Sequence, residues 1–110
     1  MASVDLQLRK GVLEIAVLAQ LDRSPTYGGD LLDVLSGASA LEISQGTLYP
    51  LLSRLSKAKL LSTSWKESPV GPPRKYYAVT KKGRVHLSEL IQSWRQLTAA
   101  VEDILEGNDE

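Results

Sequence analysis

With 110 residues, no cysteine and a single histidine, the chain is sized for one domain with a modest core, and it excludes a disulfide scaffold, a zinc-thiolate site and a thiol nucleophile. Thirteen Lys and Arg balance thirteen Asp and Glu, so the whole-chain charge advertises no anionic partner. No apolar run approaches the roughly 20 residues of a membrane span, and the start MASVDLQLRK lacks the apolar stretch of a signal peptide. A soluble, cytoplasmic protein with no membrane partner is the expectation.

Residues 6–22 are predicted as a first helix, with Leu6, Val12, Leu13, Ala16, Val17 and Leu21 near helical spacing and Ile15 and Leu18 widening the apolar arc. Arg23-Ser24-Pro25 breaks it. Thr26 is the expected cap of a short second helix whose inward stripe is Leu31, Leu32 and Leu35, and Gly37 ends that helix. Leu41-Glu42-Ile43 reads as extended. Ser44 is the expected N-cap of a third helix, which carries Leu48, Leu51, Leu52 and Leu55 at i, i+3, i+4 and i+7.

Beyond Leu60, the segments LLSTSWKES and RKYYAVT are rich in β-branched and aromatic residues, and Pro69-Val70-Gly71-Pro72-Pro73 separates them. They predict a two-stranded hairpin, with Tyr76 and Tyr77 on opposite faces. Thr80 caps a last helix running to about Glu106, roughly 27 residues or about 40 Å. Its apolar positions Leu87, Leu90, Trp94, Leu97, Val101 and Ile104 are spaced 3, 4, 3, 4, 3, which is a heptad seam. So long a helix exceeds what the small body before it covers, and its seam is expected to pair with a second chain.

Cutting the chain at positions 53 and 84 changes the meaning of its neutrality. The first piece holds three bases against six acids and sums to -3; the last holds only Arg95 against six acids and sums to -5. The middle 31 residues hold nine bases (Arg54, Lys57, Lys59, Lys66, Arg74, Lys75, Lys81, Lys82 and Arg84) against Glu67 alone, giving +8. Such a block is either a solvated face or an electrostatic footprint for phosphates, and its place on the fold decides.

Three short helices followed by a hairpin is the order of a winged helix-turn-helix, in which the third helix enters a major groove and the wing rides on the backbone. The predicted architecture is therefore mainly α with a small β-hairpin: a DNA-binding unit at residues 1–79 and a C-terminal dimerisation helix at 80–110. With the leucines inward, Gln45, Gly46, Tyr49, Ser53, Arg54 and Lys57 fall on the outer part of the third helix, mixing groups that read bases with cations that pair phosphates. Lys66 lies on the first wing strand, and Arg74 and Lys75 open the second. Pro50 is awkward inside a helix, because it lacks an N–H. Lys81, Lys82 and Arg84 oppose the dipole of the last helix, which fits either an external anion or a solvated turn. His86 has no partner suggested by spacing and reads as an ordinary surface residue.

The run LRKGVLEIAVLAQL, then Thr26-Tyr27-Gly28, then Ser44-Gln45-Gly46-Thr47-Leu48-Tyr49-Pro50, LLSRLSKAKLL and GPPRKYYAVTKKGR resembles the PadR family of transcriptional regulators over residues 6 to about 105. The short C-terminal part is similar to the branch with a single terminal helix. The resemblance implies a homodimeric winged-helix repressor of a palindromic double-stranded DNA operator, dimerised through the last helix with help from the first. It adds Tyr27 and Thr47 to the DNA contacts. It also implies release by a small aromatic ligand stacking at Trp94 in a central cavity, with Val12 of the first helix a second candidate for that wall. The wing tip Gly71-Pro72-Pro73 departs from the family habit of an added basic residue there, leaving the wing's contacts to Arg74 and Lys75.

Two other function classes stand beside this one. A winged-helix module that binds protein without sequence-specific DNA binding would use the acidic first and last thirds. An enzyme finds no support, since no catalytic group has an evident partner, and neither a metal nor a cofactor is expected.

Overall fold

A computed structural model describes residues 2–38 and 41–107. Helix α1 spans Ala2–Arg23, strand β1 Thr26–Tyr27, α2 Gly28–Ser36, α3 Gln45–Lys57, β2 Leu61–Lys66, β3 Arg74–Val79 and α4 Lys81–Leu105. The strands form one antiparallel sheet in the order β1-β3-β2. The helix-turn-helix and wing expected from the sequence are thus present, with a third strand that the sequence did not announce. Two residues are too few to show a period.

The core forms where the apolar stripes converge. Leu13, Val17, Leu18 and Leu21 of α1 meet Leu31 and Leu35 of α2, Leu48, Leu52 and Leu55 of α3, and Leu61, Tyr77 and Val79 of the sheet. Leu48, Leu52 and Leu55 are each wholly buried, a contribution of about 1.5–3 kcal/mol per side chain that fixes which face of α3 turns outward. The expected inward Leu32 and Leu51 are only partly buried at the core's margin. The side chain of Leu6 lies outside the described residues.

Three local expectations are corrected. Thr26 does not cap α2: its backbone pairs with Tyr77 of β3, its hydroxyl donates to the Ser24 carbonyl at 2.8 Å, and Tyr27 takes the cap position without a side-chain bond. Leu41-Glu42-Ile43 is not extended, because Glu42 adopts φ 45°, while Arg9 Nη1 donates to the carbonyls of Leu41 at 2.9 Å and Glu42 at 3.3 Å. Ser44 does stand at the N-cap of α3, but its hydroxyl donates to Thr47 Oγ1 at 3.3 Å and makes no bond to a first-turn N–H.

The far end of α3 closes in a Schellman turn. Leu60 N–H donates to the Leu55 carbonyl and Lys59 N–H to that of Ser56, with Lys59 left-handed at φ 66°. Chain direction then reverses into β2. Thr80 caps α4 as expected, accepting from Gly83 N–H at 3.0 Å. The helix runs 25 residues, about 37 Å. Its seam is buried only at Leu87, partly buried at Leu90, and exposed at Trp94, Leu97, Val101 and Ile104.

Candidate nucleic-acid interface

With its leucines turned inward, α3 leaves Gln45, Gly46, Pro50, Ser53 and Lys57 exposed and Thr47 half-buried. Pro50 sits on the exposed side, so its ring meets solvent rather than core. Because it has no N–H, the Gly46 carbonyl four residues earlier has no donor at the usual helical position.

Tyr49 is only partly available. Its ring lies over the buried Gly28 at the start of α2, where a Cβ would stand 3.0 Å from Tyr49 Cε1 and 3.2 Å from its hydroxyl. The Tyr-Gly pair and the GTLYP segment, far apart in sequence, are therefore one packing unit. Burial and, after it, the neighbouring Tyr49 hydroxyl push the Tyr77 phenol above its ordinary value. Tyr49 thus holds α2 against α3 and keeps 39% of its surface exposed.

Arg54 is tied to α1 while staying exposed. Its guanidinium donates to Glu14 Oε1 of α1 at 2.6 Å, and the other carboxylate oxygen of Glu14 accepts from His86 Nε2 of α4 at 2.8 Å. His86, expected to be an unpartnered surface residue, instead joins this three-helix junction. Partial burial pushes the Glu14 carboxyl up, but the hydrogen bonds from Arg54 and His86, with the charges of both groups, outweigh it and hold the carboxyl below its ordinary 4.5. A depressed folded value means stability that is complete above the unfolded value and lost as pH falls through the folded one. Melting midpoints of the wild type and Glu14→Gln should therefore differ most above about pH 5 and converge on acidification. A gap independent of pH would exclude an ionised Glu14 as the source.

Of the eight remaining bases of the middle block, two make polar contacts within the chain. Arg84 pairs with Asp22 of α1 at 2.9 Å, and Lys82 Nζ donates to the Ala58 carbonyl at 3.1 Å. Arg84 and Lys82 thus have contacts within the chain that their spacing did not suggest, while all three residues, Lys81 included, stay exposed. By contrast, among the described residues no acid lies within ion-pair distance of Lys57, Lys59, Lys66, Arg74, Lys75 or Lys81.

Strand register sorts the wing cations by face. Lys66 is opposite Arg74, and Ser64 opposite Tyr76, while Tyr27 of β1 pairs with Tyr76 from the other side. On this outer face Lys66 Nζ stands 4.8 Å from the Tyr76 ring centroid and the Arg74 guanidinium 4.7 Å from that of Tyr27. The two rings are 6.2 Å apart. Such cation–π contacts hold the cations in place without neutralising them. Lys75 lies on the opposite face, 5.9 Å from the Trp65 ring and 5.6 Å from that of Tyr77. Trp65, which sequence reading passed over, is 66% exposed.

The proposed ligand-wall residues stand on different elements, Val12 half-buried on α1 and Trp94 exposed on α4. Among the described residues no cluster of three His, Cys, Asp or Glu is placed to hold a metal, and no helix is long and apolar enough to cross a membrane.

Comparison with known proteins places this arrangement. The sequence model of the Transcriptional regulator PadR-like family matches residues 17–89. A PadR-like transcription factor from Bacteroides fragilis is 46% identical, with 93% of this chain and 98% of that one covered and a TM-score of 0.77. A PadR-like transcriptional regulator from Bacillus cereus is 39% identical over 90% and 96% of the two chains, with a TM-score of 0.80. A PadR family transcriptional regulator from Eggerthella lenta is 38% identical, covers 96% and 91%, and superposes with a TM-score of 0.86.

Proposed function

Because the chain belongs to the PadR-like family of transcriptional regulators, we propose that it is a cytoplasmic repressor that binds a palindromic operator as a homodimer. Proteins of this family are not enzymes, and they bind DNA through a winged helix. What supports the finer assignment here is the sorting of charge. Arg54 and Arg84 are matched by acids of α1, whereas Lys57 on α3 and Lys66, Arg74 and Lys75 on the wing have no acid within ion-pair distance among the described residues.

In this mechanism the exposed side of α3 enters the major groove, with Gln45, Gly46, Thr47, Ser53 and the open part of Tyr49 toward the bases and Lys57 toward a phosphate. Tyr27, Lys66, Arg74 and Lys75 meet the flanking backbone. Arg54, whose side chain stays 61% exposed while its Nη2 holds Glu14, offers its remaining N–H groups to a phosphate. The exposed part of the α4 seam closes on a second copy and sets the distance between the two α3 helices. A flat hydrophobic ligand stacked on Trp94, against a wall that includes Val12, would alter that distance and release the DNA.

Binding to duplex DNA, measured by fluorescence anisotropy against salt, should fall steeply and linearly on logarithmic axes. Arg74→Ala should weaken every sequence alike and lower the slope by about 1. Gln45→Ala should instead change which sequence is preferred. A flat salt response, or binding indifferent to both substitutions, would favour a protein-binding module.

A further inference from the structure

The junction at Glu14 has a property that no other ion pair among the described residues shares: it touches three helices with different tasks. Glu14 belongs to α1, Arg54 to α3 and His86 to α4, and each carboxylate oxygen serves one partner, at 2.6 Å and 2.8 Å. The Glu14 side chain is only 15% exposed, so the carboxylate sits inside the junction while Arg54 and His86 reach it from the surface. His86 immediately precedes Leu87, the last seam residue that the body buries, and beyond it the arm is increasingly uncovered. His86 therefore stands at the fulcrum of the arm. Arg54, in turn, leaves α3 between Ser53 and Lys57, beside the side offered to the groove.

We propose that Glu14 is a positioning residue that carries the placement of the α4 arm to the recognition helix. This rests on the DNA-binding function above. A displacement of the base of α4 against α1 must either break the His86 bond or pull Glu14 with it. A moved Glu14 pulls Arg54, and a turn or slide of α3 changes how its exposed side meets the bases. The Arg84–Asp22 pair provides an internal control, because it joins α4 to α1 at 2.9 Å without touching α3.

The test uses the full chain and a duplex enriched from a random pool by the wild type. Its readout is discrimination, the ratio of Kd for a scrambled duplex to Kd for the enriched one. Non-specific phosphate contacts contribute to both affinities and largely cancel. Glu14→Gln should lower discrimination roughly tenfold, within the usual range of coupling between sites. His86→Ala should lower it several-fold in the wild type and leave it unchanged in a Glu14→Gln background, the non-additivity expected of a shared path. Asp22→Asn should leave it within about twofold, as expected of a site outside that path. Should Glu14→Gln fail to fold by circular dichroism, Glu14→Asp, too short to span both partners, takes its place in the cycle with the same expectations. A folded Glu14→Gln with full discrimination, independent effects of Glu14 and His86, or an equal loss in Asp22→Asn would overturn the proposal alone. A wild type that enriches no sequence would overturn the DNA-binding function and this proposal with it.

Discussion

Gly83→Ala should destabilise the fold by about 2–3 kcal/mol and lower the melting midpoint by roughly 10 °C. Helix propensity alone predicts the opposite sign, since Ala is favoured over Gly inside a helix by up to about 1 kcal/mol. Packing decides against it. A Cβ at Gly83 would lie 2.2 Å from the Leu60 carbonyl oxygen, 3.1 Å from its carbonyl carbon and 2.8 Å from Val79 Cγ1. The clash cannot be relieved by a side-chain swing, because Leu60 is held on two sides. Its carbonyl accepts from Thr80 N–H at 3.0 Å, and its own N–H donates to Leu55 within the Schellman turn. The α3–β2 turn and the first turn of α4 would have to separate. Thermal melts of the two proteins check this, and an unchanged or raised midpoint would contradict the close approach.

Placing acids on the arm should have a still larger effect on function. Leu97 is 67% exposed and Val101 52%, on the same seam as Trp94, and neither is needed by the body of one chain. Leu97→Glu with Val101→Glu should therefore leave the fold of each chain intact while converting the proposed dimer to a monomer in sedimentation. Buried carboxylates facing one another across an apolar seam cannot both stay charged and dry. Each chain would then meet its half-site unaided, and affinity for the enriched duplex should fall at least about a hundredfold, the scale of lost bivalency. A variant that stays dimeric, or a monomer that binds as tightly as the wild type, would remove the arm from the mechanism.

How far these features are legible in the sequence follows from the range of the contacts that make them. Leu48, Leu52 and Leu55, the wing strands, the Thr80 cap and the heptad seam are all set by neighbours within a few residues, and local spacing reveals them. Glu14, Arg54 and His86 meet across separations of 40 and 72 positions, so no period marks them. Tyr49 and Gly28 are a similar case: both belong to recognisable segments, but only the fold puts the ring where a Cβ would be. Thr26 was misplaced because pairing with β3 overrides the capping preference of a Thr before a helix. Regional charge exposed the basic block, yet it could not tell which of its members are neutralised by α1. Arg84 and Arg54 are; Arg74 and Lys66 lie against tyrosine rings instead.

The dimeric DNA-binding account is tested most directly by the composition of the complex formed on a duplex enriched from a random pool, measured by native mass spectrometry. Two chains per duplex are expected, on an inverted repeat whose half-site centres lie about one helical turn apart or a multiple of it. A complex holding one chain on a site without two-fold symmetry, or the absence of any enriched sequence, would contradict it.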